Sequence, residues 1–231
     1  MNELLSVLLS TTTFAVLSYG FLIGIRHAAE ADHLAAVSTI IAREKSIFSS
    51  ATVGAIWGLG HTISLLIAGA LVLLLNIQIS ATTERILEFC VGVMLTLLGF
   101  NALRKMIQGQ TLDLDRHSHE DHLLGDDHKR LKFSSKPLIV GIIHGLAGSA
   151  ALMLIVIPLI DSALFGMIYL VVFGVGSIAG MAIMTMLVSL PFQYAISRSQ
   201  LTQRVLQSMT VVASSALGLW IVFRNLFQPS A

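Results

Sequence analysis

Charge is scarce in this chain. Only 12% of its 231 residues are Asp, Glu, Lys or Arg, where a soluble domain carries roughly 25%. Neither sign dominates: the formal net charge is +1, so nothing electrostatic points to nucleic acid. There is a single cysteine, Cys90, which excludes an internal disulfide. No G-x-x-x-x-G-K-[ST] run occurs, so no nucleotide-binding loop is expected. No H-E-x-x-H occurs either, because His27-x-x-Glu30 is followed by alanine, and an intramembrane metalloprotease is thereby disfavoured. No enzyme activity is expected. The first residues, MNELLSVLL, carry Glu3 and no basic stretch, so a cleaved signal peptide is not expected.

What the chain has is apolar length. Hydrophobic residues make up 55% and mean hydropathy is +0.83. Uninterrupted runs fall at about 4–42, 50–75, 86–103, 137–160, 163–190 and 205–227. A spanning helix needs ~20 such residues. Inside a bilayer the backbone finds partners only within a helix or a closed barrel, and barrel strands would alternate polar with apolar residues. These runs do not alternate. They predict an all-α integral membrane protein with six transmembrane helices and with the lipid bilayer as its surroundings. The breaks are REKS at 43–46, residues 76–84, the long segment 104–136, Asp161-Ser162, and the stretch from Pro191 to Arg204. The first run has 39 residues. As one helix it would measure ~58 Å, nearly twice a bilayer core, so it must tilt, break or continue outside.

Lysine and arginine set the expected orientation. Eleven of them lie in the loops after the first, third and fifth runs, and only Arg85 and Arg224 lie on the opposite side. Both termini are therefore expected outside and the 106–136 loop in the cytoplasm, in a bacterial-type plasma membrane. The chain also repeats itself. Gly24-Ile25-x-His27 matches Gly141-Ile142-x-His144, Trp57-Gly58-x-Gly60 matches Phe173-Gly174-x-Gly176, and Leu98-Gly99 matches Leu217-Gly218, at offsets of 117, 116 and 119. An odd number of spans per half makes the second half inverted, a recurring plan of secondary transporters with a midplane site. The predicted organisation is residues 1–105 as a first three-helix repeat, 106–136 as a linking loop and 137–231 as a second repeat, with the first helix long and interrupted. Small-residue pairs Gly20/Gly24, Gly54/Gly58, Gly141/Gly145 and Gly176/Gly180 have the spacing that lets helix backbones approach closely.

The chemistry concentrates in Arg26-His27-Ala28-Ala29-Glu30-Ala31-Asp32-His33, inside the first run. One charge at the bilayer centre costs ~2.5–3.5 kcal/mol on the lenient insertion scale, so five ionisable groups in eight residues need a reason. Arg26 and Glu30, four apart, are expected to pair across one helical turn. That leaves Asp32 between two histidines. On an ideal helix Asp32 lies ~140° and His33 ~240° from His27. Either they face different neighbours, or the helix unwinds here and turns them inward together, which the excess length favours. Imidazoles with one carboxylate suit Ni, Co, Zn, Cu or Fe. His61 and His144, in the second and fourth runs, are further candidates near the same axis. The second half lacks the charge: Asp32 aligns with Ser149, His33 with Ala150 and His61 with Ser177.

RHAAEADHL at 26–34, with its His-x4-Asp-His core, resembles the signature of the nickel/cobalt transporter (NicO) superfamily, including its UreH-like members. GLGHTISL at 58–65 resembles the Gly-His-Ser/Thr motif of that family's next helix, and LLGFNAL at 97–103, with Asn101, its Leu-Gly-x-Asn segment. The resemblance implies a permease for Ni²⁺ or Co²⁺, with His27, Asp32 and His33 as metal-binding residues and His61 as a contributor. Glu30 stands where many members have Asp, and GIIHGLAGSAAL at 141–152 is unlike the acidic motif of the larger eight-span permeases. The expected metal residues are thus His27, Glu30, Asp32, His33, His61 and His144. The ion is cargo, with no tightly bound cofactor expected and a homo-oligomer possible. The loop DLDRHSHEDHLLGDDH at 113–128 holds four histidines and six acids, which can bind metal weakly or serve as a solvated linker. Two other readings stay open: a membrane accessory protein that delivers nickel to an enzyme, and a haem or electron-transfer protein using membrane histidines.

Overall fold

The computed structural model describes residues 11–42, 44, 46–75, 80–108, 135–156 and 162–227, with the side chains of 11, 12, 147–156, 196 and 197 outside that description. Among the described residues the regular structure is entirely helical. The helices are α1 (Thr11–His27), α2 (Ala31–Ile41), α3 (Ile47–Leu75), α4 (Ala81–Ile107), α5 (Ser135–Val156), α6 (Ala163–Arg198) and α7 (Gln200–Phe227). Four stretches are long and apolar enough to cross a membrane: Ile47–Leu75, Ala81–Ile107, Ala163–Ala195 and Gln200–Phe227. Their outer faces expose large apolar side chains such as Leu71, Leu97, Leu187 and Phe223, which only lipid accommodates without cost. The chain is an integral membrane protein. The histidine-rich stretch 113–128 lies outside the described residues.

The first apolar run is two helices, not one. Neither proline nor glycine lies at the joint, Ala28–Glu30. The amides of Ala29 and Glu30 reach back only three residues, to the carbonyls of Arg26 (2.9 Å) and His27 (3.1 Å), and close α1. Glu30 then adopts extended backbone (φ −66°, ψ 150°) as the residue before α2, whose first bond runs from Leu34 to the Glu30 carbonyl. The ends of two helices therefore meet at the edge of the buried interior, with His27 and Ala28 buried and Ala29, Glu30 and Ala31 exposed, and the orphan polar groups of helix ends collect there.

Two of the other breaks carry serine caps. Ser80 accepts from the Thr83 amide at 3.1 Å and starts α4, and Ser199 accepts from the Thr202 amide at 3.1 Å and starts α7. Both are side-chain caps. The expected break beginning at Pro191 is narrower than the sequence suggests, because α6 continues through Pro191 to Arg198. Proline removes one backbone donor, yet Phe192 and Ala195 beyond it are buried, and that packing holds the last turns in place.

Helix contacts recur in related pairs. A Cβ at Gly24 would fall on the Phe173 carbonyl, and one at Gly141 on the Trp57 carbonyl; Gly60 backs onto Leu138, and Gly176 onto Phe21. The crossing of α1 on α6 is thus repeated in the crossing of α5 on α3. The same holds for α4 and α7, where Gly99 meets Ser215 and Gly218 meets Thr96. The α3–α6 pair runs through the centre. One buried cluster gathers Ile41, Trp57, Leu95 and Met181, and another gathers Leu65, Tyr169, Leu170 and Phe173. The histidines lie between Trp57 and Phe173.

Candidate metal centre

Five of the six expected site residues converge on this point. His27 ends α1, Asp32 and His33 open α2, His61 comes from α3 and His144 from α5. The helix break is what allows it, since a continuous helix would have pointed Asp32 and His33 away from His27. The ring centroids of His33 lie 4.6 Å from His27, 5.4 Å from His61 and 4.2 Å from His144, and His27 and His61 are 5.2 Å apart. All four imidazoles are at most 5% exposed.

Asp32 is tied on both oxygens. Its Oδ1 accepts from the His33 amide at 2.9 Å and from His33 Nδ1 at 3.0 Å, and its Oδ2 accepts from His144 Nε2 at 2.9 Å. Its place in the first turn of α2 also sets a negative charge where the helix dipole favours one. The remaining imidazole nitrogens make no hydrogen bond: both of His27, whose Nδ1 has the Glu30 carboxylate 2.9 Å away, both of His61, His33 Nε2 and His144 Nδ1. Each unsatisfied buried polar atom costs ~1–3 kcal/mol, and a group that accepted these lone pairs would offset that cost.

Two sets of three residues bring one donor atom each within 4.8 Å of the others: His27, His33 and His61, and Asp32, His33 and His144. Nitrogens around an ion with bonds of ~2.0–2.1 Å sit ~3.3 Å apart. Small rotations of the rings would close either set around one small cation.

Glu30 stands at the edge. Its Oε1 lies 2.9 Å from His27 Nδ1, outside hydrogen-bond geometry, and its side chain is 57% exposed. The expected Arg26–Glu30 pair does not form. Glu30 lies beyond the end of α1 in extended backbone, so the one-turn spacing that would bring it to Arg26 is gone, and Arg26 is exposed. Asn101 is exposed on α4, away from the cluster. The side chains of Ser149 and Ala150, aligned with Asp32 and His33, lie outside the described residues.

Two residues read from the sequence only as repeat landmarks wall the site. The Trp57 ring lies 5.7 Å from His144, and the Phe173 ring 5.7 Å from His27. Trp57 Nε1 and Ser177 Oγ are buried without partners. The matched offsets Trp57/Phe173 and His27/His144 were the available signal.

The family described as "Cytochrome C biogenesis protein transmembrane region" matches residues 35–220. Urease accessory protein UreH of Bacillus sp. (strain TB-90) is 35% identical over 213 residues, covering 90% of this chain and 91% of that one. The chain belongs to this family of UreH-like membrane proteins. Two Arabidopsis thaliana relatives, Chloroplast protein FOR GROWTH AND FERTILITY 1 and 2, are 29% and 27% identical over 90% of this chain, which spans 59% and 56% of their lengths. No solved structure matches the chain. As a UreH-like membrane protein it is not an enzyme.

Proposed function

We propose that this UreH-like protein carries a divalent transition metal ion, Ni²⁺ or Co²⁺, across the membrane without ATP, using His27, Asp32, His33, His61 and His144 as its midplane site. The observation that carries the reading is the convergence of four buried imidazoles and one partly exposed carboxylate, with most ring nitrogens making no hydrogen bond. The resemblance of its motifs to the NicO superfamily points the same way. The paired crossings α1–α6 and α5–α3 support six spans arranged as two inverted three-helix halves, α1 and α2 together forming the first. Charge asymmetry supports outside termini and a cytoplasmic 106–136 loop. The four rings pack directly against one another, an arrangement suited to one small ion rather than to a planar macrocycle between them.

A second reading has one specific support: the relative of which this chain covers 91% is named a urease accessory protein. Under it, the site would bind nickel for delivery to an enzyme, and the protein would not itself be the pore. Purified protein in sealed proteoliposomes separates the two. Flux of Ni²⁺ or Co²⁺ above empty vesicles supports the permease. Metal binding without flux supports the accessory role.

A further inference from the structure

We infer that Asp32 and His144 are positioning residues, and that the ion itself is held by His27, His33 and His61. This rests on the metal reading above and assigns roles within that site. A carboxylate oxygen can only accept a hydrogen bond. The contacts at 3.0 Å to His33 Nδ1 and 2.9 Å to His144 Nε2 therefore place a hydrogen on each of those nitrogens. Neutral His33 then carries its lone pair on Nε2, the atom left without a partner. His33 with His27 and His61 forms a set whose donors already lie within 4.8 Å. An ion held through His33 Nε2 breaks no existing hydrogen bond. Asp32 already spends three of its about four acceptor positions on the His33 amide, His33 Nδ1 and His144 Nε2, which leaves it one lone pair on Oδ2, whereas the three imidazoles offer free donor atoms.

The arrangement is that of a ligating histidine whose second nitrogen donates to a carboxylate, which fixes the tautomer and turns the ring. His144 holds the carboxylate from the far side through a helix, α5, that supplies no other member of the set. Glu30 near His27 Nδ1 is a weaker copy of the same device, half open to its surroundings.

The test uses the full chain in detergent, titrated with Co²⁺ and followed by visible absorption and by X-ray absorption, whose outer-shell scattering counts imidazoles. Wild type is expected to show three imidazoles. Asp32→Ala is expected to keep three while Kd rises about 10–100-fold. Asp32→Asn retains an oxygen that can accept from His33 Nδ1, so its loss is expected to stay below about tenfold; if the alanine variant does not fold, this one carries the test. His61→Ala should lose one imidazole from the spectrum. A carboxylate oxygen in the wild-type shell that both Asp32 variants lose would overturn the assignment. So would unchanged affinity in Asp32→Ala. Wild-type protein that binds no Co²⁺ would instead refute the metal reading on which the assignment stands.

Discussion

At the scale of single residues, His33 is the hinge of the site. It belongs to both three-residue sets and touches the rings of His27, His61, His144 and Trp57. His33→Ala removes both a ligand and a hydrogen-bond partner of Asp32, so it is expected to weaken Ni²⁺ binding by more than His61→Ala, which removes a ligand alone, and by more again than His144→Ala, which leaves the three ligating imidazoles in place. Calorimetric titration of the three variants checks the order, and a His144→Ala defect as large as that of His33→Ala would contradict it. Glu30→Gln should be mild, since the exposed carboxylate lies outside hydrogen-bond geometry with His27. The residue types were legible in the sequence because ionisable groups inside an apolar run are costly and must be used. Their pairing was not. Spacing alone favoured Arg26 with Glu30, and the helix end between them leaves Glu30 beside His27 instead, 2.9 Å from its Nδ1.

At the scale of elements, the break at Ala28–Glu30 and the close crossings do the positioning. The excess length of the first run announced an interruption, but with no glycine or proline there, its exact residues could not be read from local propensity. The crossing glycines are more demanding. A Cβ at Gly141 would sit 2.8 Å from Trp57 Cδ1 and 3.0 Å from the His61 amide nitrogen, so α5 and α3 would have to separate. Gly141→Val is expected to destabilise the protein by at least ~1–3 kcal/mol, the usual cost of overpacking, and to loosen the site through both Trp57 and His61. Thermal unfolding in detergent should show a lowered midpoint. Ile139→Ala, at an exposed position on the same helix, is expected to leave it nearly unchanged; equal behaviour of the two variants would argue against a tight α3–α5 crossing. The serine caps at Ser80 and Ser199 are a further repeated landmark, separated by 119 positions like Leu98 and Leu217. A Ser-x-x-Thr pair gains meaning only once it is known to start a helix.

At the scale of the whole molecule, the membrane character follows from composition, while the packing of the halves depends on contacts between residues more than a hundred positions apart, which periodicity does not report. The orientation remains a matter of charge: eleven basic residues on one side against two on the other lead to the expectation that a tag in the 106–136 loop is protected in intact cells and a C-terminal tag is accessible. C-terminal labelling only after permeabilisation would reverse the topology. The central claim is that the buried histidine centre is a passage for a divalent metal ion. Its most direct test is the initial rate of Ni²⁺ and Co²⁺ entry into sealed proteoliposomes containing wild-type protein or His33→Ala, normalised to inserted protein. Metal entry above that of empty vesicles, lost in His33→Ala while insertion is retained, is the expected result; wild-type vesicles that admit neither ion, or a His33→Ala variant that transports as wild type does, would contradict it.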